Sequence, residues 1–153
     1  NQSSFSTNEG ISPRSKDRVD MKEYWINKQD KFYEELKAGF RSMVDDYIKT
    51  HTKIIPQSFT PFRMNHYTTG GFMKNHIDNI HHSHGQQYGY PHVTALIFLQ
   101  TAEKGGEIVF CDGEYTPKQT KGSGVVFPSN FMYSHEVKEV IKGDRYSLMT
   151  WIL

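Results

Sequence analysis

His76 and Asp78 stand one residue apart in Lys74-Asn75-His76-Ile77-Asp78-Asn79. On an extended strand that spacing turns both side chains to one face and Ile77 to the other. An imidazole and a carboxylate directed into a protein interior are costly to bury unless something satisfies them. A divalent metal satisfies both. The motif is short, so a third ligand must come from elsewhere, and His135 qualifies, lying between Gly124-Val125-Val126-Phe127 and Glu136-Val137-Lys138-Glu139-Val140. Two imidazoles and one carboxylate on one side of a metal form the facial arrangement that leaves positions open at non-haem Fe(II). Arg145 follows ten residues after His135, and alternation places Arg145, Ser147, Met149 and Trp151 on one face of a strand. A guanidinium aimed into the fold suits bidentate binding of a small carboxylate, with the Ser147 hydroxyl assisting. Taken singly, His135 also reads as a turn residue bonded to backbone, and Arg145 as a half-exposed strand end.

The elements that must position these groups follow from periodicity. From about Asn27 the pattern is helical: Phe32, Leu36, Phe40, Met43 and Tyr47 step by four, four, three and four along one face. Asp30, Glu34 and Glu35 near its start, and Lys49 and His51 near its end, agree with the helix dipole. Pro56 and Pro61 then interrupt regular structure. Beyond Pro61 the period is two, with strands expected at 62–68, 75–80, 92–99, 107–110, 123–127, 136–141 and 145–153. Turn signals separate them: Gly70-Gly71, residues 85–91, Gly105-Gly106, Asp112-Gly113, Gly122, Pro128 and Gly143-Asp144. This predicts a mainly β fold with a supporting helix over 29–51, an antiparallel barrel or double-sheet jelly roll. Val93, Ala95, Ile97 and Leu99 would meet the helix, and their neighbours would face the site. Residues 1–20, apolar at Phe5, Ile11 and Val19, read as a polar arm, and 21–153 as a single domain.

Composition narrows the partners. With 18 Lys+Arg against 17 Asp+Glu in 153 residues, the net charge of +1 gives no bulk affinity for nucleic acid. A hydrophobic share of 36% with 14% aromatics is too rich for a disordered chain. The single cysteine, Cys111, excludes an internal disulfide and favours a reducing, cytoplasmic compartment. No apolar run approaches a membrane span, and no membrane partner is expected.

Together these residues resemble the Fe(II)- and 2-oxoglutarate-dependent dioxygenases, in particular their prolyl 4-hydroxylase-like branch. The resemblance covers 62–153, which would form a double-stranded β-helix core. Its motifs come in the family's order: Arg63-Met64-Asn65-His66-Tyr67 with Gly70-Gly71, His76-x-Asp78, Thr94-Ala95-Leu96-Ile97-Phe98-Leu99, Gly105-Gly106-Glu107, Lys121-Gly122 leading to Phe127-Pro128, His135-Glu136-Val137, and Gly143-Asp144-Arg145-Tyr146-Ser147-Leu148-x-x-Trp151. The resemblance implies that His76, Asp78 and His135 bind Fe(II) and carry catalysis. Arg145, with Ser147, would hold the distal carboxylate of 2-oxoglutarate, and Tyr67 would hydrogen-bond it. Thr94, Leu96 and Phe98 would line its pocket, and Trp151 would close it. Some relatives carry Tyr where Phe98 stands, and others Lys in place of Arg145. The implied cofactors are Fe(II), 2-oxoglutarate and O2, with ascorbate as an accessory reductant. The implied reaction couples oxidative decarboxylation of 2-oxoglutarate to hydroxylation of a C–H bond. A peptidyl proline or another protein side chain is the leading substrate. A small metabolite, an alkylated nucleic-acid base, or a non-catalytic metal-binding jelly-roll module are the alternatives. Relatives usually carry more helix and strand before this core, a part residues 1–28 could supply.

The loop 79–91, rich in Gly, Tyr and His, reads either as a substrate-contacting flap or as a solvated connector. His81, His82 and His84 lack the carboxylate or thiolate that a second metal site would want. His66 should point away from Tyr67 and pack, His92 shares parity with Thr94, and Cys111 reads as a strand-end residue. Lys37, Arg41 and Lys49 read as a solvated helix face.

Overall fold

The computed structural model describes residues 5–7 (as backbone), 17–79 and 90–153. Strands β1 (Phe5–Thr7) and β2 (Arg18–Trp25) precede helix α1 (Tyr33–Thr50). Then come β3 (Arg63–His76), β4 (Val93–Gln100), β5 (Lys104–Gly105), β6 (Ile108–Phe110), β7 (Gly124–Pro128), β8 (His135–Val137), β9 (Val140–Lys142) and β10 (Arg145–Ile152). The main sheet runs β1-β2-β3-β10-β4-β7, while β8 joins the far part of β3 to β6. Every pairing is antiparallel, so the sheet curls over itself as a jelly roll backed by one helix. β5 and β9 form a separate two-stranded ribbon.

Alternation along β4 divides the interior into two layers, as its sequence requires. Val93 and Ala95 are fully buried with Phe40 and Val44 of the helix and with Phe62, Leu148 and Ile152, and Ile97 and Leu99 pack at the edge of this layer. Leu96 and Phe98 turn the other way, into a second layer with Ile108, Phe110, Phe127, Met149 and Trp151. Strand β10 lies between β3 and β4 with both faces covered, and only Tyr146 along it is not buried. Burying a side chain such as Phe40, at 0% exposure, contributes about 1.5–3 kcal/mol.

The helix starts later than its apolar pattern suggests. Asn27 Oδ1 accepts the Gln29 N–H and Asp30 Oδ2 accepts the Asn27 N–H, forming a turn ahead of Tyr33. Phe32 therefore sits at the N-cap, 57% exposed, and the packed face is Tyr33, Leu36, Phe40, Val44, Tyr47 and Ile48. On the opposite side Lys37, Arg41 and Lys49 pair with Glu34, Asp45 and Asp46 in solvent, where such pairs contribute little. The helix approaches the sheet closely at Gly124, where a β-carbon would fall 2.5 Å from the Leu96 carbonyl oxygen and 2.4 Å from Met43 Cε. Gly124→Ala is expected to cost about 1–3 kcal/mol by overpacking, read as a lower denaturation midpoint.

Several strand boundaries differ from expectation. The Gly70-Gly71 signal does not separate two strands; it bends one. Val19 pairs with Phe72 and Met21 with Tyr67, so Asp20 alone opposes residues 68–71, which form a bulge. Gly70 takes φ +89°, and a β-carbon on Gly71 would meet the Asp20 carbonyl oxygen at 2.6 Å. The bend lets the first part of β3 pair with β10 and its end pair with β8. The strand expected over 75–80 is thus the end of β3, which stops at His76. The one expected over 136–141 is two short strands, β8 and β9, and β5 was not foreseen. Of the arm expected over 1–20, Phe5–Thr7 pairs with β2, and β2 itself begins at Arg18. Most of the 79–91 loop, with His81, His82 and His84, lies outside the described residues.

Candidate active site

Curling the sheet brings the end of β3 against the start of β8, with His76 and His135 in register. Asp78 lies just past the end of β3, so it reaches the same side through the turn that follows His76 rather than through strand alternation. Asp78 Oδ1 is 3.4 Å from His76 Nε2 and 3.7 Å from His135 Nε2, and one ligand atom from each residue lies within 4.8 Å of the others. His76 Nδ1 is 2.8 Å from the Lys74 carbonyl oxygen, and His135 Nδ1 is 3.1 Å from that of Tyr133. A carbonyl only accepts, so each ring donates from Nδ1 and Nε2 is the nitrogen turned toward Asp78. Backbone carbonyls bonded to the outer imidazole nitrogen fix metal-binding histidines in just this way.

Asp78 is oriented from behind. Thr94 Oγ1 donates to Asp78 Oδ2 at 2.6 Å and, with its one proton so used, accepts from Ser129 Oγ at 2.8 Å. Burial pushes the Asp78 carboxyl up, but the hydrogen bond with His76, the charges of His135 and His76, and the Thr94 hydroxyl outweigh it. They hold the group far below the usual carboxylate range. Burial pushes the His135 imidazole down, more than the Asp78 charge pushes it up. With both rings deprotonated at Nε2, the cluster offers an anionic oxygen and two imidazole lone pairs, a donor set that fits a divalent metal such as Fe(II). Thr94→Val keeps the side chain's shape and removes the hydroxyl; metal affinity is expected to fall by about 10- to 100-fold, measured by titrating Fe(II) without oxygen.

Arg145 stands in the same cavity, 3% exposed. Its Nη1 donates to Ser147 Oγ at 3.0 Å, and its guanidinium carbon lies 5.2 Å from the Tyr67 ring and 6.0 Å from that of Phe98. Among the described residues no carboxylate pairs with it. Burial pushes the Arg145 guanidinium down and Tyr67 pushes it back up, while burial pushes the Tyr67 phenol up and keeps it neutral. The Tyr67 hydroxyl makes only a long contact, 3.9 Å, to Met73 Sδ.

The cavity wall thus contains His76, Asp78, His135, Arg145, Ser147, Tyr67, Thr94, Leu96 and Trp151, with Phe98 against Arg145. His66 is on the far face, bonded to Asp144 at 2.9 Å and stacked on Tyr146. His92 is exposed just ahead of β4 and does not line the cavity. Cys111 sits in a tight turn at φ +53°, its thiol donating to the Met132 carbonyl. Three groups of the site have no role assigned from the sequence, although Arg63 and Asn65 stand in a motif of the resemblance. Ser129 carries no local signal. Arg63 and Asn65 do, because both share strand parity with Tyr67. Arg63 is buried and pairs with Glu23 of β2 at 3.1 Å, and Glu23 also takes Arg18 at 3.0 Å. Burial pushes Arg63 down, while Glu23 and, further off, Asp78 push it up against Arg18.

The chain belongs to the 2OG-Fe(II) oxygenase superfamily, whose family model matches residues 62–153. It is 27% identical over 131 residues to a PKHD-type hydroxylase of Rippkaea orientalis, covering 83% of this chain and 58% of the relative. A PKHD-type hydroxylase of Shewanella oneidensis is 33% identical over 102 residues, covering 64% of this chain and 45% of the relative. The chain therefore spans about half the length of these curated relatives. Its fold is similar to that of a Pseudomonas putida prolyl-4-hydroxylase, with TM-score 0.70 and 20% identity over 92% of this chain and 74% of that one. It is also similar to a Trichoplax adhaerens prolyl hydroxylase solved with a hypoxia inducible factor peptide fragment, with TM-score 0.69 and 22% identity over 97% and 70%. Family membership brings with it Fe(II), 2-oxoglutarate and O2. No helix among the described residues is long and apolar enough to cross a membrane.

Proposed function

We propose that this chain is a 2-oxoglutarate-dependent dioxygenase that hydroxylates a C–H bond of a protein or peptide, with a prolyl residue as the first substrate to test. The observation that carries it is the pairing of two features in one cavity: the His76–Asp78–His135 cluster, and a buried guanidinium at Arg145 with no carboxylate partner among the described residues. A dianion with a chelating keto-acid at one end and a carboxylate at the other satisfies both. Similarity to PKHD-type and prolyl hydroxylases, one of them solved with a peptide, supports the substrate class.

His76, Asp78 and His135 would hold Fe(II) through Nε2, Oδ1 and Nε2, leaving positions free on its other side. Arg145 and Ser147 would receive the distal carboxylate of 2-oxoglutarate, and the neutral Tyr67 hydroxyl would donate to the same cosubstrate. With metal and cosubstrate bound, the site supplies oxidative decarboxylation: 2-oxoglutarate, O2 and the substrate R–H become succinate, CO2 and R–OH. Leu96, Phe98, Met149 and Trp151 form the apolar wall that keeps water from the reacting atoms. Thr94 and Ser129 keep Asp78 turned toward the metal.

The test is succinate formation from 2-oxoglutarate with Fe(II), across proline-containing peptides, free amino acids and nucleotides. Stimulation by peptides is expected. Stimulation only by nucleotides or a small metabolite would replace the substrate class. No turnover, with the metal bound and coordinatively closed, would replace catalysis by a binding role.

A further inference from the structure

Arg63 is a second deeply buried guanidinium in the cavity wall, 5% exposed, and the reaction as described leaves it without a task. Its donors are poorly used. Nη1 reaches Glu23 Oε1, Nη2 rests 2.7 Å from the Met149 thioether, a weak acceptor, and the buried Nε has no hydrogen-bond partner among the described residues. The same Glu23 oxygen also accepts from Arg18, so Arg63 does not have that carboxylate to itself. Two residues along the same strand face, the buried Asn65 Oδ1 is likewise without a hydrogen-bond partner. A purely structural staple between β2 and β3 would need neither the second cation nor the idle donor.

The position of Arg63 sets it apart from Arg145. It pairs in register with Met149, two residues from Trp151, and Trp151 pairs with Thr94, which holds Asp78. Arg145 pairs with Tyr67, four residues away along β3, or roughly 13 Å at the usual strand rise. The two residues are therefore spaced apart along the sheet, and Arg63 stands nearer in register to Trp151 and Thr94, the neighbours of Asp78. Its guanidinium carbon lies 5.3 Å from the Trp151 ring and 5.7 Å from that of Trp25, the chain's two tryptophans.

We propose that Arg63 receives a carboxylate of the oxidised substrate, so that the site favours an amino-acid unit carrying its own negative charge beside the reacting C–H bond. This rests on the hydroxylase reading above and adds the group by which the substrate is recognised. A planar guanidinium held beside aromatic rings, with its Nε idle and its Nη2 on a thioether, is suited to a carboxylate's two oxygens. A peptide amide offers no charge to it.

Both tryptophans lie beside Arg63, so intrinsic fluorescence reports on its surroundings. The full chain, loaded with Fe(II) and 2-oxoglutarate in the absence of oxygen, is titrated with N-acetylproline, N-acetyllysine and N-acetylleucine, each as free acid and as amide. At least one acid is expected to give a saturable change, with its amide weaker by about tenfold or more. Arg63→Met is expected to weaken that acid by a similar factor and to erase the preference over the amide, and Arg63→Lys to recover part of it. Equal titration by acid and amide, no response to any acid, or a preference that survives Arg63→Met in a chain with unchanged melting would overturn the proposal. The acid–amide comparison on the parent chain decides the matter even if Arg63→Met does not fold. If the parent chain takes up no 2-oxoglutarate, it is the hydroxylase reading that fails. If it does and acid and amide agree, only the assignment of Arg63 fails.

Discussion

Asp78→Ala is expected to bring 2-oxoglutarate turnover down to background while the chain stays folded. Asp78 supplies the anionic oxygen of the cluster and lies against both histidines. Without it only two imidazoles remain, a set too weak to hold Fe(II) against water. The loss should exceed the roughly 100-fold that removal of an outer partner of a metal ligand can cost. The fold should survive because Asp78 lies beyond the end of β3, outside both apolar layers, and Thr94 keeps its bond to Ser129. Succinate formation, an Fe(II) titration and a melting curve measured together separate these effects. A variant that kept turnover would remove Asp78 from the metal site.

Arg145→Ala is expected to act on cosubstrate binding. A hydrogen bond to a charged group is worth about 1.5–3 kcal/mol, so the 2-oxoglutarate requirement should rise by about 10- to 150-fold. Turnover at saturating 2-oxoglutarate should change much less, because in the proposed reading the residue holds the end of the cosubstrate that does not react. Arg145→Lys should fall between the two, keeping the charge and losing the planar fork. Unchanged affinity in Arg145→Ala would end the assignment of that residue.

How far these features could be read from the sequence depended on whether a residue's neighbours were local. Val93, Ala95, Ile97 and Leu99 separated from Thr94, Leu96 and Phe98 because alternation alone sorts the two faces of a strand. Arg145 and Ser147 were legible for the same reason, and their mutual hydrogen bond follows from that shared face. The convergence of His76 with Asp78 was expected as strand geometry, but it comes from the turn after β3. β2 escaped notice because Arg18, Asp20, Lys22 and Glu23 make it look solvated. Its burial comes from pairing with β3 and from the Glu23–Arg63 ion pair, both long-range facts. Gly70-Gly71 reads as a turn in the sequence because a bulge and a turn use the same backbone freedom, and only the partner strand distinguishes them.

The placement of β10 has a consequence for how the molecule is made. This strand joins β3 to β4, yet it emerges from the ribosome some seventy residues after the first of them and some forty-five after the second. Until then the nascent polypeptide exposes two unfinished edges and an uncovered apolar surface, the state most open to mispairing and to capture by chaperones. Stalling synthesis just before and just after Arg145–Ile152 should therefore change protease sensitivity abruptly, because this strand closes the seam of the sheet and brings Arg145 to the cavity.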